Sequence, residues 1–230
     1  MTKIFSKIKL KYLSLPSNRE RNIFWSVSNS KHMYMEKGFA RTAPAMGTSM
    51  QQYYEYLLVV HPAADVYAQL MQEKQHFFDT FKEKVAIKTL PHITVANFLA
   101  REAMEDTIIR YMHRIFSMQK SFMVTLNNFS GFPPHTVYAR VQDHEPFKQL
   151  ATALAPVEHY IKGNDCPPAK FITHPHLSIA RRLKAEVYEK AMFEFSQRTF
   201  FASFNVEEMV LLKRQSQFDK CRQMTVFKLL

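Results

Sequence analysis

Glycine is scarce in this chain, at four residues in 230. No GxGxxG and no GxxxxGK[ST] string occurs, so the Gly-rich backbone cradles that hold nucleotide phosphates are excluded. A phosphate bound here must be held mainly by side chains. Cysteine is scarcer still. Cys166 and Cys221 stand far apart with no CxxC spacing, which argues against a metal cage and for a reducing compartment. No apolar run approaches the roughly 20 residues that span a bilayer. The basic N-terminal segment has its apolar residues interrupted by Lys9, Lys11 and the polar stretch at 17–20, so it lacks the core of a secretory signal. The chain reads as a soluble, cytoplasmic monomer with no membrane partner.

Aromatic residues are what the chain has in abundance. Twenty Phe and ten Tyr, within a 47% hydrophobic composition, are enough for a substantial core in one large domain or two small lobes. The net charge of +11 is uneven. Residues 1–50 hold nine Lys/Arg and two Glu, a net of +7, which leaves +4 for the other 180 residues. The basic character therefore belongs to the N-terminal segment, and the overall charge says little about nucleic-acid binding by the remainder. Residues 1–50 read as a flexible, solvated basic extension, with a nucleic-acid-attracting arm as the rival reading. Residues 51–230 read as the folded domain.

Within that domain, periodicity predicts strands at 53–60, 91–99, 121–128, 136–141, 171–180, 200–213 and 222–230. It predicts helices at 63–84, 101–118, 146–161 and 184–197, the third bent at Pro156. In the first helix Val66, Leu70, Phe77 and Phe81 share one side. The order strand, helix, strand, helix, strand occurs twice, a weak internal duplication.

The second strand of each repeat carries a histidine. Pro91-His92-Ile93-Thr94-Val95 and Pro175-His176-Leu177-Ser178-Ile179 each place a histidine and a hydroxyl two residues apart in an apolar run. Residues two apart on a strand share a face. His92 and Thr94 should therefore point one way, as should His176 and Ser178. The tripeptide alone is cheap by chance. Its matching prolines, matching strands and matching places in the repeat are not, and they predict one site containing both pairs.

These strings resemble the paired His-x-[Thr/Ser]-x signatures of the 2H phosphoesterase superfamily. The run from His174 to Arg181 is similar to the Pro-His-x-Thr-x-Ala-Arg run of its LigT-like branch, known as 2'-5' RNA ligases or RNA 2',3'-cyclic phosphodiesterases. Segments 206–213 and 225–230 resemble that branch's closing strands. The resemblance spans about residues 53–230. The second hydroxyl is Ser where Thr is commoner, and the first motif continues Ala96-Asn97-Phe98-Leu99, close to the branch's usual run but different from it.

The expected architecture is α+β, with two pseudo-symmetric lobes. Each lobe is an antiparallel sheet with outer helices, and the active-site cleft lies between them. The expected activity is that of a metal-independent phosphodiesterase acting on the 2',3'-cyclic phosphate of RNA or nucleotides, with a possible reverse 2'-5' RNA ligase activity and no cofactor. Imidazoles ionise near ~6.5, so one can serve as base and the other as acid, in either assignment. Thr94 and Ser178 would donate to the non-bridging oxygens. By resemblance, hydrolysis would leave a 2'-phosphate. Arg181 is a candidate phosphate contact, although strand alternation puts it on the face opposite His176 and Ser178. Phe132, His135 and Tyr138 are candidates for stacking on a base. His174 and His176 form an His-x-His pair with no third metal ligand at a recognisable spacing, so no metal is expected. The rival functions are a non-catalytic RNA- or nucleotide-phosphate-binding module and a phosphoesterase for another cyclic or 2'-5' phosphodiester.

Overall fold

A computed structural model describes residues 52–216 and 219–230. The basic extension read at residues 1–50 lies outside the described residues. Chain order is β1 (Tyr53–Val60), α1 (Ala64–Phe81), α2 (Val85–Lys88), β2 (Ile93–Arg101), α3 (Glu105–Phe116), β3 (Phe122–Phe132), β4 (Thr136–Val141), α4 (Glu145–Ala153), α5 (Ala155–Gly163), β5 (Lys170–Phe171), β6 (His176–Ala180), α6 (Ala185–Phe195), β7 (Phe201–Val206), β8 (Glu208–Arg214) and β9 (Arg222–Lys228). The helix expected at 146–161 is two helices. The break falls at fully buried Leu154, and Pro156 sits in the first turn of α5, where its missing N–H costs nothing.

The strands pair antiparallel in the order β7-β3-β4-β6-β2-β1-β8-β9, with β5 beside β2. The fold is therefore a mixture of helices and antiparallel sheet, as expected. The order has a centre. Four strands lie on each side of the β6–β2 seam, and the two histidine strands are the innermost pair. About that seam β1 corresponds to β4, β8 to β3, and β9 to β7.

The lobes are not contiguous stretches of sequence. β3, the last strand of the first repeat, pairs with β4 and β7 of the second, and β8 and β9 complete the first lobe beside β1. The β3–β4 hairpin, closed at His135 N–H to the Phe132 carbonyl, 3.1 Å, is a short-range pairing that loop entropy favours. The helices cross over as well. α1 packs on β6, β7 and α6, whereas α4 packs on β2.

The expected strand at 200–213 is two strands broken at Glu207. Buried positions before the break are even-numbered (Ala202, Phe204, Val206), whereas after it Met209, Val210 and Leu211 are all buried, followed by Lys213. One residue thus carries the chain from the edge of one lobe into the other, which requires the sheet to curl. The curl is tied by Leu229 N–H to the Glu207 carbonyl (2.9 Å), Leu230 N–H to the Gln119 carbonyl (2.8 Å) and Ser121 N–H to the Leu230 carbonyl (2.7 Å).

One sheet face is covered by helices and holds the core, including Tyr56, Leu58, Ile93, Phe98, Val137, Leu177 and Ile179. The other face is open. Lys213 is buried at 6% exposure and is neutralised by Glu102 and Glu105. Among the described residues no helix is long and apolar enough to cross a membrane.

Helix α6 comes unusually close to β3 at Gly131. A Cβ built there would collide with Tyr188 Oη and stand 2.7 Å from Met192 Sδ. Gly131→Ala is expected to destabilise the protein by about 1–3 kcal/mol through overpacking. Thermal unfolding of the full chain checks this, with a melting temperature lowered by roughly 3–10 °C at this size.

Candidate active site

The seam between the lobes is narrow. A single pair, Ile93 with Leu177, joins β2 to β6, and both side chains are fully buried on the helix side. Antiparallel register about that pair sets His92 across from Ser178 and Thr94 across from His176. All four project to the open face, each partly exposed between buried neighbours. The equivalent prolines, Pro91 and Pro175, are both buried just before the strands, which anchors the histidines at the strand starts.

Both imidazoles are held the same way. His92 Nδ1 lies 2.8 Å from the Leu90 carbonyl, and His176 Nδ1 lies 3.4 Å from the His174 carbonyl. A carbonyl only accepts, so in each ring Nδ1 carries the proton of that bond.

Each motif strand bulges one residue later. On β2 the pairing jumps from Thr94 (with Val59) to Ala96 (with Leu58). On β6 it jumps from Ser178 (with Tyr138) to Ala180 (with Val137). Val95 and Ala96 are both buried, as are Ile179 and Ala180, so the inward phase is used twice and alternation resumes shifted by one. This corrects the expectation for Arg181. Strict alternation would turn it away from His176 and Ser178, but the bulge restores it to their face, where its charge acts on His92, Lys74 and Glu55. The equivalent residue after the first bulge is Asn97.

Phe132 and Tyr138 flank the second histidine. Their rings are 4.5 Å apart, and the His176 ring meets Phe132 edge-on at 4.9 Å and Tyr138 at 5.2 Å. They steer the imidazole as well as offering aromatic surface. His135 is turned to a different partner, its Nδ1 lying 2.9 Å from Thr136 Oγ1. His174 stands edge-on to His144 at 5.5 Å. Among the described residues no group of three His, Cys, Asp or Glu is arranged to hold a metal ion.

Three features of the site escaped the sequence reading. Lys74 lies in the buried stripe of α1 between Leu70 and Phe77. Its ammonium donates to the Ser178 carbonyl (3.0 Å), the Ile179 carbonyl (2.9 Å) and Thr89 Oγ1 (3.2 Å), gripping the β6 bulge from behind. Burial, with the Arg181 charge adding to it, pulls Lys74 down to about 7. A lysine inside an apolar helical stripe was the signal available. The second feature is on the open face of the first lobe, where Asn97 Nδ2 donates to Glu55 Oε1 (2.8 Å) and Arg214 grips the same carboxylate from Nε (2.7 Å) and Nη2 (2.8 Å). Burial alone would raise Glu55, but bonds from Arg214 and Asn97 and the charges of Arg214 and Arg181 carry it below its ordinary value. The third is His61, whose Nδ1 lies 3.3 Å from the Pro91 carbonyl and whose charge acts on His92. The ion pair and His61 had no sequence signature.

His92 is lowered to about 4 from its ordinary 6.5, first by burial and then by His61, Arg181 and Lys74, against the pull of the Leu90 carbonyl. It is therefore neutral at neutral pH. The unfolded chain binds this proton below about 6.5 and the folded chain only at about 4, so stability falls as pH drops through that window. In a histidine NMR titration His92 is expected to protonate at about 4. Arg181→Gln, which removes a like charge, is expected to move that titration upward.

The arrangement can be set against known proteins. The family model described as the 2'-5' RNA ligase superfamily matches residues 64–217. No curated protein matches the chain. Among solved structures, E. coli LigT complexed with 3'-AMP aligns with a TM-score of 0.56 at 17% identity, covering 77% of this chain and 98% of that one. The protein TT0787 of Thermus thermophilus aligns with a TM-score of 0.54 at 19% identity, covering 76% and 97%. At such identities the structural likeness establishes a LigT-like fold, and the family match, spanning most of the chain and both histidine motifs, establishes descent. The chain belongs to the 2'-5' RNA ligase superfamily.

Proposed function

We propose that this protein is a metal-independent phosphodiesterase that opens the 2',3'-cyclic phosphate of RNA or nucleotides. The observation that carries the reading is the seam arrangement: two imidazoles with Nδ1 tied back to carbonyls, each across from a hydroxyl. A nucleotide substrate is supported by the crystallisation of the related E. coli LigT with 3'-AMP and with NADP+.

His92, kept neutral by burial, takes the proton of the attacking water as its oxygen bonds to phosphorus. His176 delivers a proton to the departing 3' oxygen as the P–O3' bond breaks, which leaves a 2'-phosphate and a 3'-hydroxyl. Thr94 and Ser178 donate to the non-bridging oxygens where charge accumulates. Arg181 neutralises the phosphate, and Phe132 and Tyr138 face the base. If a 5'-hydroxyl replaces water, the same proton transfers yield a 2'-5' linkage, the ligase direction of the family's name. All these groups come from one chain, which supports a monomeric enzyme. Its two free thiols suit the cytoplasm.

Turnover of a 2',3'-cyclic nucleotide in EDTA tests the reading. His92→Ala and His176→Ala are each expected to lower kcat/KM by on the order of a hundred- to ten-thousandfold, and Ser178→Ala by about a hundredfold. Retained binding with no turnover by the wild type would favour a non-catalytic phosphate-binding module. Turnover restricted to a linear 2'-5' linkage would identify the other phosphodiester. In the pH profile, activity is lost as His92 gains its proton, so the acid limb of kcat/KM is expected at about 4, well below the ordinary histidine value.

A further inference from the structure

One cross-strand row of the open face leads away from the phosphate centre. His176 on β6 pairs with Arg140 on β4. The Arg140 Nε donates to the Asn127 carbonyl on β3, 3.2 Å, and Asn127 pairs with Phe201 on β7. Adjacent strands stand about 4.8 Å apart, so the row carries Phe201 roughly 14 Å along the sheet from His176. That is beyond the nucleotide that bears the reacting phosphate.

Two side chains of this row stand outside the core. Phe201 is 70% exposed although Phe200 and Ala202 on either side of it are buried. A large aromatic on the open face of an edge strand contributes nothing to the core. Arg140 is exposed between buried Ala139 and Val141, and its bond to Asn127 holds the stem flat across the sheet between His176 and Phe201. Beside Phe201 the hydroxyls of Ser203 and Thr125 face the same side, 3.0 Å apart. Cation, then aromatic, with hydroxyls alongside, is the composition of a single-strand nucleic-acid track, in which a backbone phosphate meets Arg and a base stacks on a ring.

We propose that this row is a subsite for the RNA upstream of the cyclic phosphate. Arg140 meets the next phosphate along the chain, and Phe201 stacks on an upstream base. The inference rests on the phosphodiesterase reading above and deepens it: the preferred substrate is an oligoribonucleotide end rather than a free mononucleotide.

The test compares kcat/KM for a cyclic mononucleotide with that for a tetranucleotide ending in a 2',3'-cyclic phosphate. The expected result is a wild-type preference for the tetranucleotide. Phe201→Ala lowers kcat/KM for the tetranucleotide by roughly tenfold and leaves the mononucleotide unchanged, while Phe201→Tyr restores the preference. Arg140→Gln flattens the salt dependence of tetranucleotide KM by about one phosphate contact. Equal wild-type rates on both substrates, or an equal loss on both in Phe201→Ala, overturn the subsite while leaving the phosphodiesterase reading intact. Calorimetric binding of a tetranucleotide ending in a 2'-phosphate separates the two ideas. Affinity weakened about tenfold in Phe201→Ala supports the track even if no turnover occurs, and unchanged affinity overturns it.

Discussion

Everything in the site depends on how β2 and β6 are held together. A single residue pair joins them, and one or two ladder hydrogen bonds contribute only about 1 kcal/mol each. The seam is instead clamped from behind. α1 leaves the first lobe to pack on β6, and α4 leaves the second to pack on β2. Buried Ile93 and Leu177 sit under those helices. Because each lobe carries the other's helix, the two strands cannot part without uncovering the core of both. A short ladder with strong backing leaves the open side free of extra pairing, and that is where the histidines and hydroxyls stand.

The paired bulges set the rest of the site. They turn Asn97 and Arg181 onto the open face at equivalent places, so the pseudo-symmetry extends past the His-x-[Thr/Ser] strings on both strands. It then breaks. Asn97 is committed to the Glu55–Arg214 pair in the first lobe, whereas Arg181 brings positive charge toward His92. Lys74, bonded to the carbonyls of the β6 bulge, adds another cation behind the same spot. Burial lowers both Lys74 and His92, and the Arg181 charge adds to each. Titratable groups shifted together in one place are the pattern by which a functional site is recognised.

Much of this was legible in the residues. The positions of most strands and the inward faces of the helices follow from apolar periodicity, because burial on one face is written into every second or every third to fourth residue; the stretch expected as one strand at 171–180 is instead β5 and β6, with residues 172–175 between them. The break at Glu207 was not legible, because Met209-Val210-Leu211-Leu212 is apolar throughout and shows no alternation to mark a change of face. Arg181 was placed on the wrong face because alternation assumes an unbroken pleat. A bulge depends on how the neighbouring strand's register falls, and that register is set by residues 40 and more positions away. Lys74 left a trace, a cation in an apolar stripe, but its partners are main-chain carbonyls about a hundred residues distant. The Glu55–Arg214 pair, 159 residues apart, left none.

The sequence by itself determined which side chains stand together on each motif strand. Two prolines, two histidines and two hydroxyls at strand spacing settle which groups share a face, since the period of a strand is a local property of the backbone. It also determined the alternation that fills the core. Tertiary structure decided which strands became neighbours, that the lobes exchange helices and strands, and that one register pair sets each histidine across from the other motif's hydroxyl. It alone decided that Arg181 and Lys74 flank His92 from two sides. Those facts depend on pairing between distant segments, where the cost of closing long loops is met by burial shared across the whole sheet, and no local pattern records that outcome.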